Sequence, residues 1–123
     1  MSVRTAVAVT LLTLVGAAHA VQPDAYRVRT TAELVRVCSA QPSEPDQATA
    51  IAFCHGVLAG AYGYYAAVTP AADWFVCLPD PAPTRSKVAN DFVAWAKAHP
   101  QFMEQGAIDT LFRYGAETFP CRK

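Results

Sequence analysis

Charged residues are scarce in this sequence. Ten basic and ten acidic side chains balance to a formal net charge of zero over 123 residues. A protein that binds nucleic acid or anionic lipid electrostatically needs a basic surface field, and this composition supplies none. We therefore predict no nucleic-acid partner.

Catalytic and metal-binding signatures are also lacking. The nearest two cysteines have fifteen residues between them, so neither a redox C-x-x-C motif nor the close pairs of a zinc site are present. Cys54 and His55 are adjacent, which directs them to different faces of a helix and makes a poor catalytic dyad. No Ser–His–Asp signature or phosphate-binding loop stands out. We predict no enzyme, no metal and no cofactor.

One long stretch, Ile51 to Val68, has no Lys, Arg, Asp or Glu. Its length is close to that of a membrane span. We favour the central buried helix of a small exported domain, because tyrosine hydroxyls within it need partners or water. Gly56 and Gly60 lie four residues apart, so they share a face on which another element is expected to approach closely.

The N-terminus has the parts of a cleavable signal peptide. Arg4 gives a basic start, residues 6–15 an apolar core, and Ala18 to Ala20 an A-x-A cleavage site. A retained membrane anchor is the alternative, but the apolar run is short. We predict a signal peptide over residues 1–20 and one domain over residues 21–123, exported to the periplasm with no further membrane insertion.

The four cysteines all follow the predicted cleavage site, and an even count in a small exported chain indicates disulfides. They are Cys38, Cys54, Cys77 and Cys121. Four cysteines permit three pairings, and the spacing does not choose among them. Our working prediction pairs Cys38 with Cys54 and Cys77 with Cys121.

Helix signals place four helices along the chain and predict an all-α fold. Residues 21–29 form an extended or frayed arm, and Thr30 with Glu33 reads as a capping box. Asp46 is the expected N-cap of the long helix. The segment from Trp74 to Leu78 is a short strand or, as we prefer, a loop pinned by Cys77. The predicted helices span residues 31–39, 47–67, 85–98 and 100–116, the last burying a face that includes Phe102, Met103, Ala107, Ile108, Leu111, Phe112 and Gly115.

Aromatic side chains cluster where the long helix meets the following loop. Consecutive tyrosines cannot both face inward on one helix, so we expect at least one to be exposed. Tyr and Trp are enriched at interface hot spots, although such residues also simply cover small cores. The predicted partner-binding residues are Tyr62, Tyr64, Tyr65, Asp73 and Trp74, with Phe75 in the same cluster.

The order of the cysteine contexts resembles the Rap/Tai immunity-protein family over about residues 30–121. The matching elements are Leu34-x-x-x-Cys38, Phe53-Cys54-His55-Gly56-x-x-x-Gly60, Phe75-x-Cys77-Leu78-Pro79, His99-Pro100 and Phe119-Pro120-Cys121. The resemblance implies a small all-helical periplasmic protein, often a homodimer, that is not an enzyme. Members of that family neutralise cell-wall-degrading effectors delivered by type VI secretion, typically peptidoglycan amidases, by blocking the active site.

The expected function is therefore inhibition of a toxic cell-wall hydrolase by contact. An envelope stress chaperone or assembly factor is the alternative, because small disulfide-linked helical proteins of that type expose apolar surface. An enzyme would require a free thiol near a histidine.

Overall fold

The computed structural model describes residues 26–122, and this part of the chain is all-α, as predicted. Its helices are α1 (Thr31–Cys38), α2 (Gln47–Val68), α3 (Arg85–Ala98) and α4 (Ala107–Thr118), with single 3₁₀ turns at Ala71–Asp73 and Pro100–Phe102. No strand forms within residues 26–122; two isolated bridges join Thr30 to Gly106 and Val76 to Pro120.

Helix α1 begins with the predicted capping box. The Thr30 hydroxyl accepts a hydrogen bond from the Glu33 N–H at 3.3 Å, and the Glu33 carboxylate accepts one from the Thr30 N–H at the same distance. The Arg29 guanidinium also donates to this carboxylate at 3.1 Å. Hydrogen bonds from the Arg29 side chain and backbone hold the pKa of Glu33 below its usual value.

Helix α1 lies at the centre of the domain, where it packs against α2, α3 and α4. Leu34, Val37 and Cys38 are almost completely buried there, together with Phe92 from α3. Thr31 is buried as well, and its hydroxyl donates to the Gln105 carbonyl at 3.2 Å. The shortest of the four helices therefore organises the core.

Helix α2 is peripheral, which corrects the prediction that it is the buried central helix. Only Ala50, Cys54, Leu58 and Tyr65 of its 22 residues are buried. It is also long and apolar enough to cross a membrane, judged by length and composition alone. The glycine prediction was wrong too. A Cβ added at any of its three glycines would meet nothing within 4 Å, so no other element approaches them.

Both predicted disulfides are confirmed. Cys38 and Cys54 join the end of α1 to α2, and their Cα atoms are 5.1 Å apart. Cys77 and Cys121 join the long loop to the C-terminal segment, with a Cα separation of 4.9 Å. Beside the second bridge, the Cys77 N–H donates to the Phe119 carbonyl at 2.8 Å. The segment around Cys77 is thus a pinned loop, as preferred.

The last helix differs from its prediction. A 3₁₀ turn follows His99, and α4 starts only after Gly106. The intervening N–H groups bond locally, and the carbonyls of Met103 and Gln105 accept from N–H groups of α1. Ile108, expected on the buried face, is exposed. Asp46 precedes α2 as predicted, but its side chain makes no capping hydrogen bond.

The arm before α1 is docked and not frayed over the residues that the structure describes. The Tyr26 ring meets the Phe53 ring edge-on at 5.3 Å, and Val28 packs against the core. The Arg29 carbonyl accepts from the Ala107 N–H at 3.0 Å. The predicted signal peptide, residues 1–20, lies outside the described residues.

Candidate partner-binding surface

Tyr65 anchors the loop that follows α2. Its side chain is buried, and its hydroxyl accepts hydrogen bonds from the backbone N–H groups of Phe75 at 2.7 Å and Val76 at 3.2 Å. Its ring lies 5.2 Å from that of Phe75 and 5.0 Å from that of Phe112. Tyr65 therefore positions the predicted surface from beneath and is not itself available to a partner.

Trp74 fixes the turn between α2 and the loop. Its indole N–H donates to the Thr69 carbonyl at 2.8 Å, and its ring lies 5.9 Å from that of Tyr65. The side chain is half-buried. Asp73, at the end of the preceding 3₁₀ turn, is exposed. Trp74 thus closes the turn and leaves Asp73 at its edge.

Tyr64 faces outward, as expected for one of two consecutive tyrosines. It is 72% exposed, and Val68, one turn further along α2, is 56% exposed. Phe75 and Ile108 are the other two large apolar side chains that lie exposed among the described residues. Phe112, one turn after Ile108, has its ring 6.1 Å from that of Phe75. We call Tyr64, Val68, Phe75 and Ile108 the apolar patch.

A cleft of about 270 Å³ opens beside Tyr62, between α2, α3, α4 and the loop. Buried Leu58 and Leu111 line it, as do Gly63 and Leu78. The loop approaches α4 closely at Gly115, because a Cβ added there would lie 3.2 Å from both methyl groups of Val76. Gly115 therefore lets the loop pack tightly against α4 and form the wall of this cleft.

A family model for Rap1a immunity proteins matches residues 30–121. The chain belongs to the Rap1a immunity protein family. The matched range contains both disulfides, all four helices and the apolar patch. No curated protein and no solved structure matches the chain.

Membership in the Rap1a family makes this chain an immunity protein of a secreted effector system, which acts by binding a partner effector. Immunity proteins of this kind are generally not catalysts. The two disulfides agree with export, because such bonds persist in oxidising compartments.

The disulfides also determine what the cysteines can do chemically. All four cysteines are oxidised, so no thiolate is available as a nucleophile. Within residues 26–122 no group of three His, Cys, Asp or Glu side chains could hold a metal ion. His99 ends α3: its Nδ1 donates to the Trp95 carbonyl at 2.7 Å, and its ring stacks on Trp95 at 4.2 Å.

Two buried hydroxyls, those of Thr110 and Tyr114, have no hydrogen-bond partner among residues 26–122. Tyr114 is 3% exposed, and desolvation, followed by the Asp91 carboxylate, raises the pKa of its phenol. Thr118, one turn along α4, lowers that pKa but does not reach hydrogen-bonding geometry. The Tyr114 ring packs against the Phe92 ring at 5.7 Å, so its role is core packing.

The structure divides the predicted binding residues into two groups. Tyr65 and Trp74 support the loop, whereas Tyr64 and Asp73 face solvent and Tyr62 lines the cleft. Sequence reasoning missed Val68 and Ile108. Val68 lies four residues after Tyr64 on the same helix face, a signal that was available. Nothing in the sequence indicated that Ile108 would be exposed, because its burial depends on how α4 packs.

Proposed function

We propose that this protein is a periplasmic immunity protein that inhibits a cell-wall-degrading effector delivered by type VI secretion. The effector is a peptidoglycan amidase, and inhibition occurs by occlusion of its active site. The observation that carries the proposal is the apolar patch, four exposed side chains held on a disulfide-linked scaffold. We infer that these exposed side chains form part of the interaction site, because large apolar side chains on the surface of a small protein are natural contacts for a partner.

The patch is suited to occlusion because its support is rigid. Tyr65 holds Phe75 through its hydroxyl and ring, and the Cys77–Cys121 bridge anchors the same loop two residues later. A preorganised surface loses little conformational entropy on binding, which favours affinity. Tyr64 is the expected hot spot, since large exposed aromatic side chains dominate interface energies.

Coexpression with a periplasm-targeted peptidoglycan amidase encoded next to this protein tests the proposal. The wild-type protein is expected to protect the cells and to bind the amidase. Tyr64→Ala and Phe75→Ala are each expected to weaken binding by about 2 kcal/mol, or roughly thirtyfold. Lys97→Ala, an exposed change on α3, serves as the control. An amidase that neither binds nor is inhibited by the wild-type protein would refute the proposed target.

Homodimer formation is a second part of the proposal, and the open face of α2 supports it. The exposed residues Ala52, Gly56, Gly60 and Gly63 give this face small side chains and no charge. Two copies related by a twofold axis would then meet without opposing like charges. Gly60→Glu is expected to convert the dimer to a monomer in analytical ultracentrifugation, whereas Ala94→Glu on α3 is not. A wild-type monomer at high micromolar concentration would exclude the dimer.

Export to the periplasm, with cleavage of the signal peptide, is the third part of the proposal. Mass spectrometry of the periplasmic fraction is expected to find a chain that starts at Val21 and carries two disulfides. A full-length chain, or four free thiols, would contradict periplasmic maturation.

An envelope chaperone is the second candidate, and the extent of uncovered apolar surface on α2 and the patch is what favours it. A chaperone would suppress aggregation of unrelated unfolded proteins, with a gain on acidification. An immunity protein would bind its effector and leave such aggregation unchanged.

A further inference from the structure

The cleft beside α2 combines an apolar lining with a single charged side chain. Among the residues that line it, only Arg85 carries a charge. Leu58, Val76 and Leu111 are buried apolar residues of the lining, and Pro83 and Val88 contribute further apolar surface. A cleft with this lining favours an apolar group with an anion at one end.

Arg85 is available to an anion. Its side chain is exposed and makes no hydrogen bond or ion pair with any residue from 26 to 122. The neighbouring cation, Lys87, is already paired with Asp91 at 2.7 Å. Arg85 is also the first residue of α3, so the positive end of that helix adds to the attraction for an anion.

The size of the cleft limits the apolar part of the ligand. Its volume of about 270 Å³ lies below the roughly 300–1,000 Å³ of pockets that bury drug-sized molecules. It exceeds a cavity of about 150 Å³, which accommodates benzene. A single unbranched chain of medium length fits between these limits.

We infer that this cleft binds a medium-chain carboxylate, with the acyl chain against Leu58 and Leu111 and the carboxylate at Arg85. The site is distinct from the apolar patch, since none of the four patch residues lines the cleft. This binding does not depend on the identity of any effector.

Titration of the ¹⁵N-labelled full mature protein with sodium decanoate tests the inference, at decanoate concentrations below micelle formation. Saturable chemical-shift changes are expected at residues 58–63, 85–88 and 111–115. Decanol has a similar chain without the charge, and butyrate has the charge without the chain. Both are expected to bind more weakly than decanoate.

Two variants with a matched control test the geometry. Gly63→Leu fills the cleft from α2 and is expected to weaken decanoate binding at least about tenfold, because its side chain displaces several methylene groups. Gly56→Leu on the same helix is the control: an added Cβ is unobstructed at both glycines, and only Gly63 lines the cleft. Arg85→Gln is expected to weaken the binding of decanoate about two- to fivefold and to leave the binding of decanol unchanged.

Three outcomes would overturn the inference. One is the absence of saturable shifts around the cleft, and another is equal binding by wild type and Gly63→Leu. The third is that chemical shifts of the cleft residues change with protein concentration but not with decanoate concentration. That result would assign the cleft to a second copy of the chain. Equal affinities for decanoate and decanol would remove the role of Arg85.

Discussion

Helices α1 and α2 bury very different fractions of their residues. Five of the eight residues of α1 are buried, whereas α2 buries four of its 22. Yet α2 is the more apolar by composition, because it contains no charged residue and many alanines and glycines. Burial follows the amphipathic pattern and the size of the side chains, and not the mean hydropathy of a segment.

The two helices also differ in how they are attached to the domain. Helix α1 packs against each of the other three helices. Helix α2 packs against α1 and α3, and it is further held by the Cys38–Cys54 bridge and, near its C-terminal end, by the hydrogen bonds of Tyr65. Much of α2 is nevertheless uncovered, since only four of its 22 residues are buried.

The largest expected effect comes from truncating α1. Leu34→Ala should lower the free energy of unfolding by about 4 kcal/mol, because Leu34 is fully buried at the centre of the core. Val68→Ala on α2 should change it by less than about 0.5 kcal/mol, because Val68 is mostly exposed. Urea denaturation measures both values. Similar losses for the two variants would contradict the contrast between the helices.

The second largest effect is expected from removing the Cys38–Cys54 disulfide, which joins α1 to α2. The Cys38→Ala/Cys54→Ala double variant should lose about 3 kcal/mol of stability, as expected for a loop of 16 residues. Hydrogen exchange should then increase more in α2 than in α1, since α1 buries five of its eight residues and α2 only four of its 22. Equal increases in both helices would indicate that the bridge stabilises the domain as a whole.

A smaller loss of stability is expected at Tyr65, whose hydroxyl holds the C-terminal end of α2 to the loop. Tyr65→Phe removes the acceptor for the N–H groups of Phe75 and Val76, and the Val76 N–H is in a buried position. A cost of about 1–2 kcal/mol is expected. Tyr64→Phe, one residue away and exposed, should be neutral. No difference between them in thermal unfolding would remove the anchoring role of the Tyr65 hydroxyl.

The N-termini of α1 and α2 differ in whether a side chain caps them. Thr30→Ala should cost about 1 kcal/mol because the Thr30 hydroxyl caps α1, whereas Asp46→Ala should cost only a few tenths because the Asp46 side chain caps nothing. Chemical denaturation of the two variants compares them directly. A larger loss for Asp46→Ala would reverse the expectation.

The smallest effect concerns pH. The pKa of Glu33 is lowered in the folded protein, so its stabilising contribution is present above the unfolded-state pKa and is lost as pH falls through the folded value. Glu33→Gln should therefore be less stable than wild type at neutral pH, and the difference should shrink on acidification. A constant difference between pH 7 and pH 3 would contradict the Arg29–Glu33 linkage.

The sequence determined the helix positions near the strong local signals. The Thr30–Glu33 capping box and the helix over residues 85–98 depend on neighbouring residues, and both predictions are confirmed. Cysteine content and export-like features predicted disulfides, and the working pairing is also confirmed. Tyr64 had to be exposed if Tyr65 was buried, because consecutive residues on a helix face different directions.

Only the tertiary structure decided which helix is central. Hydropathy alone favoured α2, but α1 fits between three neighbours with Leu34 and Val37, whereas the alanines and glycines of α2 offer little surface to bury. The same packing exposed Ile108, brought Phe112 close to Phe75, and opened the cleft at Arg85. These features depend on contacts between residues distant in sequence, and local patterns carry no information about them.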